Sequence, residues 1–213
     1  MAFHQRFHEA TAEERDALRA LPGIHHLVNE GLSREEYLAF LSQLYHVVWH
    51  FCPAMAAAAS RMGDDRRQLR YALYHDIEEE KGHEEWVLND VRTLGGDPEA
   101  VRGSSPGPEL QALIGYNYYA VERVSPCAVF GMVYVLEETA AELASSAAET
   151  LAARLDLEPP KGVSFLSSHG EMDVEHVDEL RELLDGLEGP ADQAAVIEAA
   201  RVNYRLFGSL FRA

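Results

Sequence analysis

The sequence predicts an all-α protein. Apolar residues recur at three- and four-residue spacing nearly throughout, strand-like alternation is nearly absent, and the glycine and proline breakers fall between periodic segments. Thr11 with Glu14 three residues on has the pattern of a capping box and opens a short first helix ending near Pro22-Gly23. Ser33-Arg34-Glu35-Glu36 repeats the pattern ahead of a second helix through Tyr37, Leu41, Leu44, Tyr45, Val48 and Trp49; Pro53 then either kinks it or starts a new helix reaching about Met62. A third helix runs from about Asp65 through Leu69, Leu73, Ile77, Trp86 and Val91 until Gly95-Gly96-Asp97-Pro98 stops it. Gly82 inside it costs up to ~1 kcal/mol relative to alanine, so either a neighbouring helix packs closely there or the backbone leaves regular geometry. Val101 to Pro108 reads as a loop, followed by a short helix through Leu110, Leu113 and Tyr116. Pro126 suits the first turn of a long apolar helix to about Leu155, ended by Pro159-Pro160. Gly189-Pro190 separates two last helices, about Val163 to Leu187 and about Ala191 to Phe211. About seven helices in one domain, residues 1–213, argue for a bundle whose site lies in the core between facing helices.

Composition narrows the function. A chain of 213 residues forms a core without disulfides. Cys52 and Cys127 are its only cysteines, neither in a CxxC pair, and the N-terminus lacks a leader pattern, so a cytoplasmic protein with reduced thiols is expected. The longest apolar stretch, Cys127 to Leu136, stops at Glu137, too short to span a membrane. With 36 acidic against 18 basic side chains the formal charge is −18, which repels nucleic-acid backbones and anionic lipid.

The chemistry-bearing residues fall on three segments. In His169-Gly170-Glu171-Met172-Asp173-Val174-Glu175-His176, Asp173 and His176 sit about 40° and about −20° from His169 around an ideal helix, so all three can converge on one ion. Leu166, Met172 and Leu180 share or flank that face, which therefore points partly inward, where unpaired ionisable groups are costly. His83 has Glu80 at i−3 and Glu79 at i−4, with Asp76 two turns back, and Glu-x-x-His is a ligand spacing of carboxylate-bridged di-iron bundles. Glu137 interrupts the most apolar helical stretch of the chain and needs a buried partner, for which a metal ion is the natural choice. Glu138 points about 100° away, toward the surface. His75 points elsewhere, and His46 and His50, among Tyr45, Trp49 and Phe51, suggest core or pocket lining. Cys127 follows Pro126 at a helix N-terminus, where a thiolate would be favoured.

Together, Glu79-Glu80-Lys81-Gly82-His83-Glu84-Glu85-Trp86, the Gly131 to Glu137 helix and above all His169-x3-Asp173-x2-His176 resemble the haem-oxygenase-like helical superfamily, within it the iron-containing oxidases and oxygenases that bind two irons instead of haem. The likeness covers most of the chain. It implies Glu137 as the central carboxylate, His169, Asp173 and His176 from one helix, and His83 with Glu79 or Glu80 from another, holding two irons per chain. Glu137 and His83 then stand closest to the chemistry. The implied activity is O₂-dependent oxidation of a small organic substrate of amino acid, amine or fatty acid type, with an external reductant and a homodimer as further expectations. Tyr45, Trp49, Phe130 and Tyr134 are expected to shape the substrate pocket; Arg123 and Lys81 are too weakly placed to anchor a substrate carboxylate. Haem oxygenases carry a proximal histidine where this chain, after Glu9-Ala10-Thr11, has Arg15. Thiaminase II-like (TenA) proteins share a Pro-Cys, echoed by Pro126-Cys127, and imply a metal-free hydrolase with Cys127 as nucleophile and Glu79 or Glu137 as acid or base. The ring-closing oxidase of pyrroloquinoline quinone (PqqC) is a further relative. A binding or regulatory protein built on the same bundle is the third alternative.

Overall fold

In the computed structural model residues 2–212 are described, save for the side chains of Glu171, Val174 and Glu175. The described residues form eleven α-helices and no strand: α1 Phe3–Ala10, α2 Ala12–Arg19, α3 Pro22–Asn29, α4 Arg34–Ala59, α5 Arg67–Glu80, α6 His83–Thr93, α7 Pro98–Arg102, α8 Pro108–Tyr119, α9 Val129–Leu155, α10 Ser164–Asp185 and α11 Pro190–Phe207. Short 3₁₀ turns precede α5 and α9 and follow α11, and a π turn, Ala120–Val124, follows α8. The all-α expectation holds, with more helices than the seven expected because the predicted third helix is divided in two and α1, α3 and α7 form where no helix was expected.

The divisions have local causes. Thr11 does not cap: its hydroxyl donates back to Phe7 O at 2.9 Å, and it forms the corner between α1 and α2. Ser33 caps as expected, its Oγ accepting from Glu36 N at 3.3 Å while Glu36 Oε2 accepts from Ser33 N at 2.8 Å. Pro53 neither ends nor restarts α4, which runs unbroken to Ala59. Pro98, with the Asp97 carboxylate accepting from Glu99 N and Ala100 N, starts a short helix at the predicted breaker that runs into the first two residues of the predicted loop.

Gly82 decides the alternative left open at that position. Its φ is +91°, and a Cβ built there meets nothing within 4 Å, so the backbone turns and no neighbour crowds it. The predicted third helix is therefore α5 and α6, and Glu80 and His83 lie on either side of a left-handed corner. Only glycine takes that φ without cost. Gly82→Ala is expected to lower stability by ~1–2 kcal/mol, read as a lower denaturation midpoint at unchanged slope.

Helix α9 is the axis of the bundle, packing on α10, α11, α3 and α4, with buried residues from Val129 to Ala152. The apolar side of α11 is taken up inside the chain, where Tyr204 and Phe207 are buried. Among the described residues no helix is long and apolar enough to cross a membrane.

Candidate metal centre

Four helices bring the predicted donors together. Glu80 ends α5, His83 opens α6, Glu137 lies on α9, and His169, Asp173 and His176 lie on α10. Glu80, His83 and His169 form one group and Glu80, Glu137, Asp173 and His176 a second; within each, one donor atom per residue lies within 4.8 Å of every other. Glu80 belongs to both. His83 Nδ1 is 3.0 Å from Glu80 Oε2 and 3.2 Å from His169 Nε2. His176 Nδ1 is 3.2 Å from Glu137 Oε2 and 3.6 Å from Asp173 Oδ1. Glu79 belongs to neither group: it stands outside, its Oε2 3.6 Å from the outward nitrogen of His176 and its Oε1 3.6 Å from exposed His75.

The donor set suits a hard or borderline cation. Glu80 Oε1 and both oxygens of Asp173 are buried without a hydrogen-bond partner, and Asp173 is only 1% exposed. Buried carboxylate atoms without partners are costly, and a cation among them supplies what is missing. His169 shows the matching tautomer. Its Nδ1 is 3.0 Å from Phe165 O, which can only accept, so Nδ1 carries a proton and Nε2, the nitrogen that would ligate an ion once free of its proton, faces Glu80 and His83. His83 is fixed from its other side by stacking on Trp86, ring centroids 3.9 Å apart.

Crowded carboxylates shift one another. Burial opposes ionisation of Glu80, but hydrogen bonds to His169 and His83 outweigh it and hold its pKa at about 2. Burial, then the Glu137 charge, pushes Asp173 far up. His176 is raised to about 9, first by its hydrogen bond to Glu137. Asp76, nearby on α5, is raised to about 7 by burial and then by Glu137.

Two rooms flank the donors, and Glu80 and Glu137 line both. One, of about 140 Å³, is bordered by the ionisable side chains of His75, Asp76, Glu79, His176 and Glu179 together with Ala72, Val133, Leu180 and Leu183. The other is an apolar chamber of about 90 Å³, where the donors meet Leu44, Val47, Val48 and Phe51 of α4, Leu136, Ala140, Leu143, Ala144 and Ala147 of α9, and Phe165 and Leu166 of α10. None of Tyr45, Trp49, Phe130 and Tyr134, the expected pocket residues, borders the chamber. Tyr45 and Trp49 lie off the α4 stripe that faces it, and Trp49 is 47% exposed. Phe130 and Tyr134 precede Glu137 on α9, whereas the chamber extends from Leu136 toward Ala147.

Several other positions correct or extend the sequence-based picture. Glu138 is buried, not exposed: it accepts from Tyr134 Oη at 3.3 Å and Tyr204 Oη at 2.5 Å. His46 pairs with Ser104 Oγ at 2.9 Å and His50 with Tyr118 Oη at 3.0 Å, away from the donors. Cys127 is fully buried, its thiol pushed up to about 11 by burial and then by Asp192, and it borders neither room. A nucleophilic thiolate there is disfavoured. Arg15, where haem ligation would want a histidine, is buried and donates to His8 O at 3.0 Å and Thr11 Oγ1 at 3.2 Å.

Asp90 escaped the sequence reading. From α6 it accepts from Ser164 N at 3.0 Å, Ser164 Oγ at 2.8 Å and Phe165 N at 3.0 Å, capping the α10 N-terminus across a helix–helix contact. The helix with His83 thereby fixes the start of the helix with three other donors. The signal was an acid in the run Val87-Leu88-Asn89-Asp90-Val91, the same signal that singled out Glu137. Asp90→Ala is expected to cost ~1–2 kcal/mol as a lost cap and to weaken metal uptake; unchanged uptake with unchanged melting would contradict this role.

Comparison with known proteins follows the geometry. The sequence profile of the family described as iron-containing redox enzyme matches residues 38–208. Proteins of curated function give no match. Among solved structures, a domain of unknown function with a heme oxygenase-like fold from Shewanella denitrificans OS217 is similar at a TM-score of 0.86 and 23% identity, over 98% of this chain and 90% of that one. A TenA homolog from Pseudomonas syringae pv. tomato is similar at 0.82 and 16% identity, over 99% and 91%. Heme oxygenase from Leptospira interrogans is similar at 0.74 and 18% identity, over 99% and 98%. These likenesses establish the haem-oxygenase-like fold. The profile match, spanning the segments that carry all six converging donors, places this chain in the iron-containing redox enzyme family.

Proposed function

We propose that the chain is a non-haem, O₂-dependent oxidase or oxygenase that holds two iron ions between α5, α6, α9 and α10 and acts on a small organic substrate. The observation that carries this reading is the pair of donor groups joined through Glu80, with Glu80 Oε1 and the Asp173 carboxylate left without partners. Glu80, His83 and His169 would hold one ion, and Glu80, Glu137, Asp173 and His176 the other, an arrangement of carboxylates and imidazoles suited to iron. Iron, when bound, supplies the reduction of O₂, with electrons from the substrate or an external reductant.

The chain's own residues prepare the site. Phe165 O fixes the His169 tautomer, Asp90 anchors α10, Trp86 orients His83, and the apolar chamber excludes water from one side of the centre. A metal-free hydrolase based on Cys127 leaves the partnerless carboxylates without a purpose and lacks an exposed thiol.

The test is to load the anaerobic metal-free protein with Fe(II), count bound metal, and admit O₂ while recording Mössbauer and optical spectra. About two irons per chain and an oxygen-dependent spectral change are expected, both lost in His169→Ala. Absence of stoichiometric iron in the wild type would overturn the proposal.

A further inference from the structure

A file of alternating imidazoles and carboxylates runs from the surface to the buried donors. Side-chain exposure falls along it, from 61% at His75 through 38% at Glu79, 19% at His176 and 6% at Glu137 to 1% at Asp173. Neighbours in the file are close. His75 Nε2 is 3.6 Å from Glu79 Oε1, Glu79 Oε2 is 3.6 Å from His176 Nε2, and His176 Nδ1 is 3.2 Å from Glu137 Oε2. The His176 ring is thus a partition, with one nitrogen toward exposed Glu79 and the other toward buried Glu137.

These residues border the room that Asp76 and Glu179 also line, and no arginine or lysine among the described residues lines it. Glu80 lines the same room: it is 6% exposed, its Oε2 meets His83, and its Oε1 has no hydrogen-bond partner. An unsatisfied buried carboxylate oxygen in a room with further carboxylates calls for a cation. The apolar chamber offers an incoming ion no ligand ahead of the donors themselves. Its one other polar liner, Thr139, already donates its hydroxyl to Val135 O at 2.6 Å. A divalent cation gives up its water only where protein oxygens and nitrogens replace it, and the room with the ionisable side chains supplies them.

We infer that this room is an outer cation station, in which Asp76, Glu79 and Glu179, with His75 at the surface, hold one divalent ion and pass it by way of His176 to the buried donors. The destination of the ion rests on the two-iron reading above; its binding at the station does not. Glu79 is the centre of the transfer, because one of its oxygens faces His75 and the other His176. The three inner carboxylates, Glu80, Glu137 and Asp173, do not neutralise two divalent ions, so a filled centre repels an ion waiting outside. The station is therefore occupied in passage, and its substitution changes rates and not capacity.

The first experiment follows Co(II) uptake by the metal-free protein through its visible absorbance, and stripping of the loaded protein by EDTA. Asp76→Asn/Glu79→Gln is expected to slow both, each by about tenfold or more, because a path serves both directions, while capacity and Kd stay as in the wild type. Glu79→Gln alone serves if the double variant does not fold by circular dichroism. Glu149→Gln/Glu188→Gln, an equal loss of charge at exposed positions outside the room, should change neither rate. The second experiment titrates Mn(II) into the His169→Ala/Asp173→Asn protein, in which both donor groups are broken, and reads water-proton relaxation. One weakly bound ion per chain is expected, lost when Asp76→Asn/Glu79→Gln is added, and this result stands whether or not the wild type takes up two irons. Unaltered rates in the outer variant would overturn the inference, as would equal slowing by Glu149→Gln/Glu188→Gln, which would show only the general field of an acidic chain. A fall in capacity or affinity would overturn it by making Asp76 or Glu79 a ligand of the centre itself, and so would Mn(II) binding that is absent or indifferent to both residues.

Discussion

Asp173→Asn is expected to make the metal-free protein more stable while abolishing metal uptake. Asp173 is 1% exposed and neither of its oxygens has a hydrogen-bond partner, so in the absence of an ion its carboxyl group is a buried polar group kept at a cost. Asparagine keeps the size and cannot ionise beside Glu137. Removing such an uncompensated group is worth ~1–3 kcal/mol, which for a chain of this size raises the melting temperature by roughly 3 to 10 °C. The same change removes a donor from the second group, so the stabilisation that a bound ion gives the wild type, ~2.7 kcal/mol at a hundredfold excess over Kd, should disappear. Melting curves with and without Mn(II) or anaerobic Fe(II) decide it: a variant that melts lower than wild type without metal would contradict the argument.

The same groups set an unusual pH dependence. Asp76 titrates at about 7, His176 at about 9, and Asp173 is pushed far above the usual carboxylate range. Each binds its proton more tightly in the folded protein than in the unfolded chain, so between about pH 5 and pH 9 the native state holds protons the unfolded state has released. Stability of the metal-free wild type therefore falls as pH rises through this window, by at most ~1.4 kcal/mol per pH unit for each such proton. Glu80, held at about 2, works in the opposite sense but only in acid, below the usual carboxylate range. Asp173→Asn should flatten the slope, and bound metal, which requires deprotonated donors, should flatten it further. A melting temperature that rises from pH 6 to pH 9 without metal would refute the assignment.

Gly170→Ala is expected to damage both stability and the metal centre. A Cβ at Gly170 would lie 2.2 Å from Ser145 Oγ and 2.5 Å from Ser145 N, and α9 and α10 form the most extensive helix pair of the bundle. The hydroxyl could rotate away but the backbone nitrogen could not, so the helices must separate. Such overpacking costs ~1–3 kcal/mol or more, and because Gly170 adjoins His169 the displacement falls on the centre itself. The expected result is a melting temperature lowered by several degrees together with weakened metal binding. Adding Ser145→Ala should restore only part of the loss, since the backbone contact remains; full recovery would show that the clash was with the hydroxyl alone.

Much of this molecule is written in local pattern. Helical periodicity, the Ser33–Glu36 cap and the breakers at Gly95-Gly96 and Gly189-Pro190 are short-range features, so the all-α class and the approximate helix ends could be read from the chain. The α10 donors were legible for the same reason, because His169, Asp173 and His176 share one face of one regular helix. Glu137 was legible from its incongruity in an apolar run.

What the sequence alone did not decide depends on residues far apart in the chain or on backbone geometry that periodicity does not encode. The choice of Glu80 over Glu79 at the junction of the donor groups follows from the left-handed corner at Gly82, which breaks the helix on which that choice would be read. Asp90 as the cap of α10 joins positions 74 residues apart. Glu138 was misplaced because its partner Tyr204 comes from α11, and a single helix cannot show which of two adjacent glutamates a distant tyrosine will cover. The chamber is the largest such case. Its walls come from α3, α4, α9, α10 and the C-terminal turn, a juxtaposition that no one segment carries.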